Sequence, residues 1–154
     1  MKLQGEEREH MEALVADLES GEHEKGKGKL HIIVENGPDR WCCLGRAGAV
    51  AVAGGCQVER YITRTFDEGT GKNITVEGFG SSTEILCEEL QEWYGVYDPN
   101  PVLLMGDGNE ISASSINDNG YDKEYTLPEI GALFRRTYLE DSAGESSSGD
   151  TTSA

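Results

Sequence analysis

Two stretches of strict alternation joined by a short polar turn constrain this chain more than any other feature. In residues 59–66, Tyr61, Thr63 and Thr65 take one side, and Arg60, Ile62, Arg64 and Phe66 take the other. Residues 72–79 alternate again, with Ile74, Val76 and Gly78 opposed to Thr75, Glu77 and Phe79. A period of two sends successive side chains to opposite faces of a strand. With Asp67, Glu68, Gly69, Thr70 and Gly71 between them, the pattern predicts a β-hairpin with a five-residue loop. An all-helical fold is excluded. The run Gly69-Thr70-Gly71-Lys72 lacks the earlier glycine and the following Ser/Thr of a phosphate loop, so it reads as the hairpin turn.

Other segments carry helical spacing, which excludes an all-β fold. Met11, Leu14, Val15 and Leu18 form one face of a helix over about 6–19, with acids in its first turns and Gly21 as its stop. Residues 81–84 offer caps for a helix carrying Ile85, Leu86, Cys87, Leu90 and Trp93, stopped by Gly95. Thr126-Leu127-Pro128-Glu129 is a capping box, followed by a core face of Leu127, Ile130, Leu133, Phe134 and Tyr138. Residues 41–53 are small and apolar. We read them as a helix from near Cys42 to Gly54-Gly55, although periodicity also permits a buried strand. Short strands are expected at 30–35, 102–105 and 111–116. The sum is a single α+β domain over 1–139, with three to four helices, short antiparallel strands and hairpins.

Composition narrows the function. The 154 residues suit one modest core, since 36% are apolar and mean hydropathy is −0.51. No apolar run approaches the roughly 20 residues of a membrane span, and no signal peptide is expected. A net charge of −16 argues against general nucleic-acid binding. Residues 140–154 hold acids, Ser, Thr, Gly and Ala, and read as a disordered acidic tail. Cys42, Cys43, Cys56 and Cys87 form no CxxC pair and are expected as free thiols in a reducing cytosol.

Against this acidity, Lys25, Lys27 and Lys29 stand out, interleaved with Gly26 and Gly28. Glycines let backbone N–H groups approach an anion and lysines supply charge, which suits a ligand phosphate; the plain alternative is a solvated connector. Arg40-Trp41 pairs a guanidinium fork with an aromatic face, for phosphate and base stacking, or else Trp41 anchors the core. Asn117-Asp118 suits hydrogen bonds to a base edge or ribose, or a turn before the capping box. Cys42 and Cys43 offer a nucleophilic thiolate, though free cysteines are mostly buried. A zinc set of His31 with the cysteines matches no known spacing, and Asp118, Asn119, Asp122 and Glu124 fail the calcium-loop pattern, so no metal and no cofactor is expected.

Several separated blocks carry a resemblance: Leu18-Glu19-Ser20-Gly21-Glu22, Gly26-Lys27-Gly28 with Leu30, Cys42-Cys43-Leu44-Gly45, Trp93-Tyr94-Gly95, Ile116-Asn117-Asp118 and Leu127-Pro128-Glu129-Ile130. Together they resemble a family of small phage and prophage proteins with LxSGxYxQGxGxL, CCLG and LND…EIA blocks. Lys25 stands where that family usually has glutamine, Arg46 where it prefers an apolar residue, and residues 57–80 look like an insertion. The resemblance implies a viral accessory protein acting in the cytoplasm of a bacterial host. By analogy with phage proteins that sequester host immune signals, the expected ligand is a small phosphorylated, nucleotide-derived molecule. Lys25, Lys27, Arg40, Trp41, Asn117 and Asp118 are the expected ligand-binding residues. The rival expectations are an enzyme that cleaves such a signal, centred on Cys43 or Asp118, and an acidic protein-binding inhibitor or DNA mimic. No membrane partner is expected, and a homo-oligomer is left open.

Overall fold

Helix α1 (Gly5–Glu19) forms on its expected stripe and buries Met11, Leu14, Val15 and Leu18. Its main partner is α5 (Leu127–Tyr138), which buries Leu127, Ile130, Gly131 and Phe134. This computed structural model describes residues 2–140; the part of the expected acidic tail after Glu140 lies outside them. The capping box of α5 is complete: Glu129 N–H donates to Thr126 Oγ1 (3.2 Å) and Thr126 N–H to Glu129 Oε1 (2.9 Å). Gly131 lets the two helices approach closely, because a Cβ there would lie 2.9 Å from Leu18 Cβ.

The small-residue run 41–53 resolves as a helix, α2 (Cys43–Ala53), with Cys42 at its N-cap. Its composition has a packing cause. A Cβ on Gly45 would stand 1.8 Å from the Leu30 carbonyl oxygen, and one on Gly48 would stand 2.8 Å from the Phe79 ring. The helix therefore lies directly on the sheet.

That sheet has five strands: β1 (Glu24–Lys25), β2 (His31–Ile33), β3 (Arg40–Trp41), β4 (Arg60–Asp67) and β5 (Lys72–Phe79), in the order β1-β3-β2-β5-β4. The predicted hairpin is β4–β5. Its register is unbroken from Arg60↔Phe79 to Asp67↔Lys72, so four residues remain in the loop rather than five. β1 and β3 run parallel, an exception to the antiparallel expectation. A second hairpin pairs β6 (Val102–Leu104) with β7 (Glu110–Ser112).

Two elements differ from the sequence reading. The helix expected from 81–84 starts later, as α3 (Glu88–Tyr94). Ser82 Oγ accepts from the N–H of both Glu84 and Ile85 (3.0 Å each), a local turn that competes with helix. The strand expected over 111–116 ends at Ser112, where α4 (Ala113–Asp118) begins. Ala113 N–H donates to the Pro101 carbonyl (2.8 Å) and Ser114 N–H to Asn100 Oδ1 (3.0 Å), which satisfies the first donors of that short helix. The outcome is a mixed α+β architecture with five helices among the described residues. None of these helices is long and apolar enough to cross a membrane.

Candidate functional site

Three segments far apart in sequence meet where β1 leaves the sheet. Asn117, at 0% exposure, is the joint between them. Its Oδ1 accepts from Cys43 N–H (3.0 Å), and its Nδ2 donates to the Gly26 carbonyl (2.8 Å) and to Asp118 Oδ1 (2.8 Å). Asp118 Oδ1 also accepts from Gly28 N–H (3.1 Å). Gly28 has φ +84°, the left-handed region that favours glycine, and a Cβ on Gly26 would stand 2.8 Å from Arg40 Cβ. Backbone fit accounts for both glycines.

Lys25 and Lys27 extend from this loop toward one carboxylate. The Glu124 Oε2 atom lies 2.7 Å from Lys25 Nζ and 3.2 Å from Lys27 Nζ. Lys25 also donates to the Tyr125 carbonyl. The hydrogen bond from Lys25, then that from Lys27, holds the Glu124 carboxyl below its ordinary range. Lys29 diverges to Glu84. Beside Lys25 opens a cleft of about 420 Å³, lined by Gly21, His23, Glu24, Lys25 and residues 124–128. Its far wall is the start of α5, the positive end of that helix dipole.

The six expected ligand residues do not form one pocket. Lys25 and Lys27 converge, with Asn117 and Asp118 bracing the loop beneath them. Trp41 is in the core: the His31 ring stacks on it at 3.5 Å and the Arg46 guanidinium lies 4.4 Å over its ring, so no stacking face is open. Arg40 pairs with Glu24 as Trp41 pairs with Lys25, so Arg40 turns to the opposite face of the sheet from Lys25. Asn117 has spent its amide on the protein itself. The residues that sequence reasoning missed are His23, Glu124, Tyr125 and Thr126. The capping box marked the helix start, but nothing in the sequence showed that it faces Lys25.

A second cluster lies inside the sheet. His31 places Nδ1 2.7 Å from Glu77 Oε1 and Nε2 2.8 Å from Asp39 Oδ2. Arg60 adds a fork to Glu77, at 2.6 and 3.1 Å. Burial alone would raise the Glu77 carboxyl, but the hydrogen bonds of Arg60 and His31 outweigh it and hold the group low. Asp39 is likewise held low: burial pushes up, while the Val34 N–H and His31 pull down more strongly. On the helix side, Arg46 is buried and forks to Asp17 at 2.8 and 2.7 Å, which explains an arginine at an otherwise apolar position.

The cysteine reading also changes. Cys43 is fully buried, and its hydrogen bond with Cys42, followed by burial, pushes its thiol well above the ordinary value. That is the reverse of what a nucleophilic thiol needs. Among the described residues no three His, Cys, Asp or Glu side chains gather around a point that could hold a metal ion. Of the residues weighed for calcium, Asp122 accepts from Tyr125 Oη (2.6 Å), while Asp118 turns to Gly28 and Glu124 to the lysines. Comparison with protein-family models, curated proteins and solved structures finds no match.

Proposed function

We propose that this chain is a binding protein that captures a small phosphorylated, nucleotide-derived ligand in the cleft beside Lys25. The observation that carries the reading is two lysines sharing one exposed carboxylate, Glu124, which with Lys25 lines a 420 Å³ cleft. Glu124 is 57% exposed where Lys25 is 14% exposed, so the carboxylate is the partner that water or a phosphate can replace. A phosphate carries more charge and more acceptor oxygens than a carboxylate, and charge-assisted hydrogen bonds are the strong ones. His23 and Tyr125 line the remaining wall and offer the ligand polar and aromatic contact. Lys25 and Lys27 are assigned to the phosphate, and Asn117 and Asp118 to holding the loop.

Capture is favoured over cleavage because the cleft pairs cations with a counter-ion, while the thiol of Cys43 is buried and held protonated. The resemblance to phage proteins makes host immune signals the ligands to test first. Thermal shift and calorimetry against cyclic nucleotides and ADP-ribose derivatives test the proposal. Binding that weakens at least about ten-fold in Lys25→Ala supports it, and no binding to wild type at high micromolar concentration overturns it. Heating the complex and analysing what is released separates capture from turnover: intact ligand supports capture, and a changed product contradicts it.

A further inference from the structure

The predicted hairpin ends the sheet with an open edge. β4 is the last strand in the order, eight residues long, with no proline and no bulge in its register. Natural edges are commonly blunted by such devices, because unpaired backbone groups template pairing with another chain. The Glu59 carbonyl accepts from Gly80 (2.7 Å) and the Asp67 carbonyl from Gly71 (2.8 Å), so both turn toward β5. The odd-numbered residues between them do the same, and the backbone groups of Arg60, Ile62, Arg64 and Phe66 turn outward. The side chains of these four residues share one face. Ile62 is 65% exposed and Phe66 59% exposed on it.

We infer that this edge is a self-association surface, and that a second copy of the chain pairs with it antiparallel about a two-fold axis at Thr63. Its self-complementarity specifies the occupant. With outward groups at 60, 62, 64 and 66, a two-fold axis through 63 pairs every one of them, Arg60 with Phe66 and Ile62 with Arg64 of the second copy. A slip by two residues in either direction leaves outward groups unpaired and sets Arg64 against Arg64 or against Arg60, a like-charge contact. At Thr63 the aliphatic stem of Arg60, whose guanidinium is held by Glu77, lies beside the exposed Phe66 ring. Glu59 against Asp67 at each end is the one like-charge pair, and added salt relieves it. A single strand pair is small beside the roughly 800 Å² per partner of a standard interface, so association is concentration-dependent.

Sedimentation equilibrium on the full chain is expected to show a mass rising with concentration from 16.7 kDa toward twice that value, more so at higher salt. The register is read by cysteine cross-linking. Residues facing each other in a non-hydrogen-bonded pair have Cα atoms about 4.5 Å apart, within disulfide reach. Thr63→Cys is therefore expected to give a disulfide-linked dimer under mild oxidation, and Ile62→Cys and Arg64→Cys to do so at least about ten-fold more slowly. Wild type under the same oxidant controls for the native cysteines. Arg64→Pro removes an outward N–H while sparing the ladder to β5, and is expected to be a folded monomer. A monomer at every concentration, a Thr63→Cys chain that does not cross-link preferentially, or a dimer that survives Arg64→Pro overturns the inference.

Discussion

The two ionic clusters of this molecule use the same residue types in opposite ways. Around His31, the imidazole and Glu77 are buried at 9% exposure each, and the partly exposed Arg60 and Asp39 close over them: Glu77 receives His31 and the fork of Arg60, and Asp39 takes the far side of the imidazole. Around Lys25, two cations meet a carboxylate that is more than half exposed, and Lys25 and that carboxylate line an open cleft. The first cluster is closed, with each group's partner inside the protein. The second turns on a carboxylate that is 57% exposed, under the proposed function a counter-ion replaceable by a stronger anion. Charge alone therefore does not mark a binding site; under the proposed function, a displaceable partner beside an open volume does.

Substitutions at Glu77 probe the closed cluster hardest. Glu77→Ala leaves His31 and Arg60 without their shared partner, and removing one member of a buried pair costs about 3–5 kcal/mol. In a chain of this size that lowers Tm by on the order of 10 °C, read by calorimetric melting. The open cluster responds differently. Lys25 is itself only 14% exposed and also donates to the Tyr125 carbonyl, so Lys25→Ala is expected to lower Tm, but by less than Glu77→Ala because its carboxylate partner is 57% exposed. It should weaken a phosphorylated ligand by about ten- to a hundred-fold, the size of a charged hydrogen bond, in calorimetric titration. Equal loss of stability at the two sites would erase the contrast.

Acid sharpens the same comparison. Glu77 and Asp39 have folded pKa values below their unfolded ones, so their stabilisation is full above the unfolded carboxylate range and is lost as pH falls through the lowered folded values. Melting scans are expected to show a fall in Tm below about pH 4.5, smaller in Glu77→Gln, which has no carboxylate to titrate. Glu124→Gln gives the smallest effect and the opposite sign. Freeing Lys25 and Lys27 of their counter-ion is expected to raise affinity for a phosphorylated ligand by about two- to ten-fold, within the range of a surface ion pair, with little change in Tm.

The periodic elements were legible from sequence because their signals are local. The alternation of 59–66 and 72–79 became β4 and β5, and the Thr126–Glu129 box became the start of α5. The small residues of 41–53 marked a close approach, but Leu30 and Phe79, which demand Gly45 and Gly48, are known only from the fold. What failed depended on distant partners. Pro101 and Asn100 start α4 where a strand pattern continued, and Ser82 delays α3. In the site, Lys25 and Lys27 were identified from their basicity, while Glu124, Tyr125 and His23 join them only through tertiary packing. Trp41 and Arg40 are adjacent in sequence, yet strand geometry sends one into the core and the other to the far face.

Under the proposed function the open cluster, and not the rest of the basic residues, receives a phosphorylated ligand. Calorimetric titration of ADP-ribose and cyclic nucleotides into wild type, the Lys25→Ala/Lys27→Ala double variant and Arg40→Ala tests it directly. Saturable binding to wild type and to Arg40→Ala, and none to the double variant while circular dichroism shows it folded, is the expected result. No binding to wild type, or binding lost in Arg40→Ala and kept in the double variant, would contradict it.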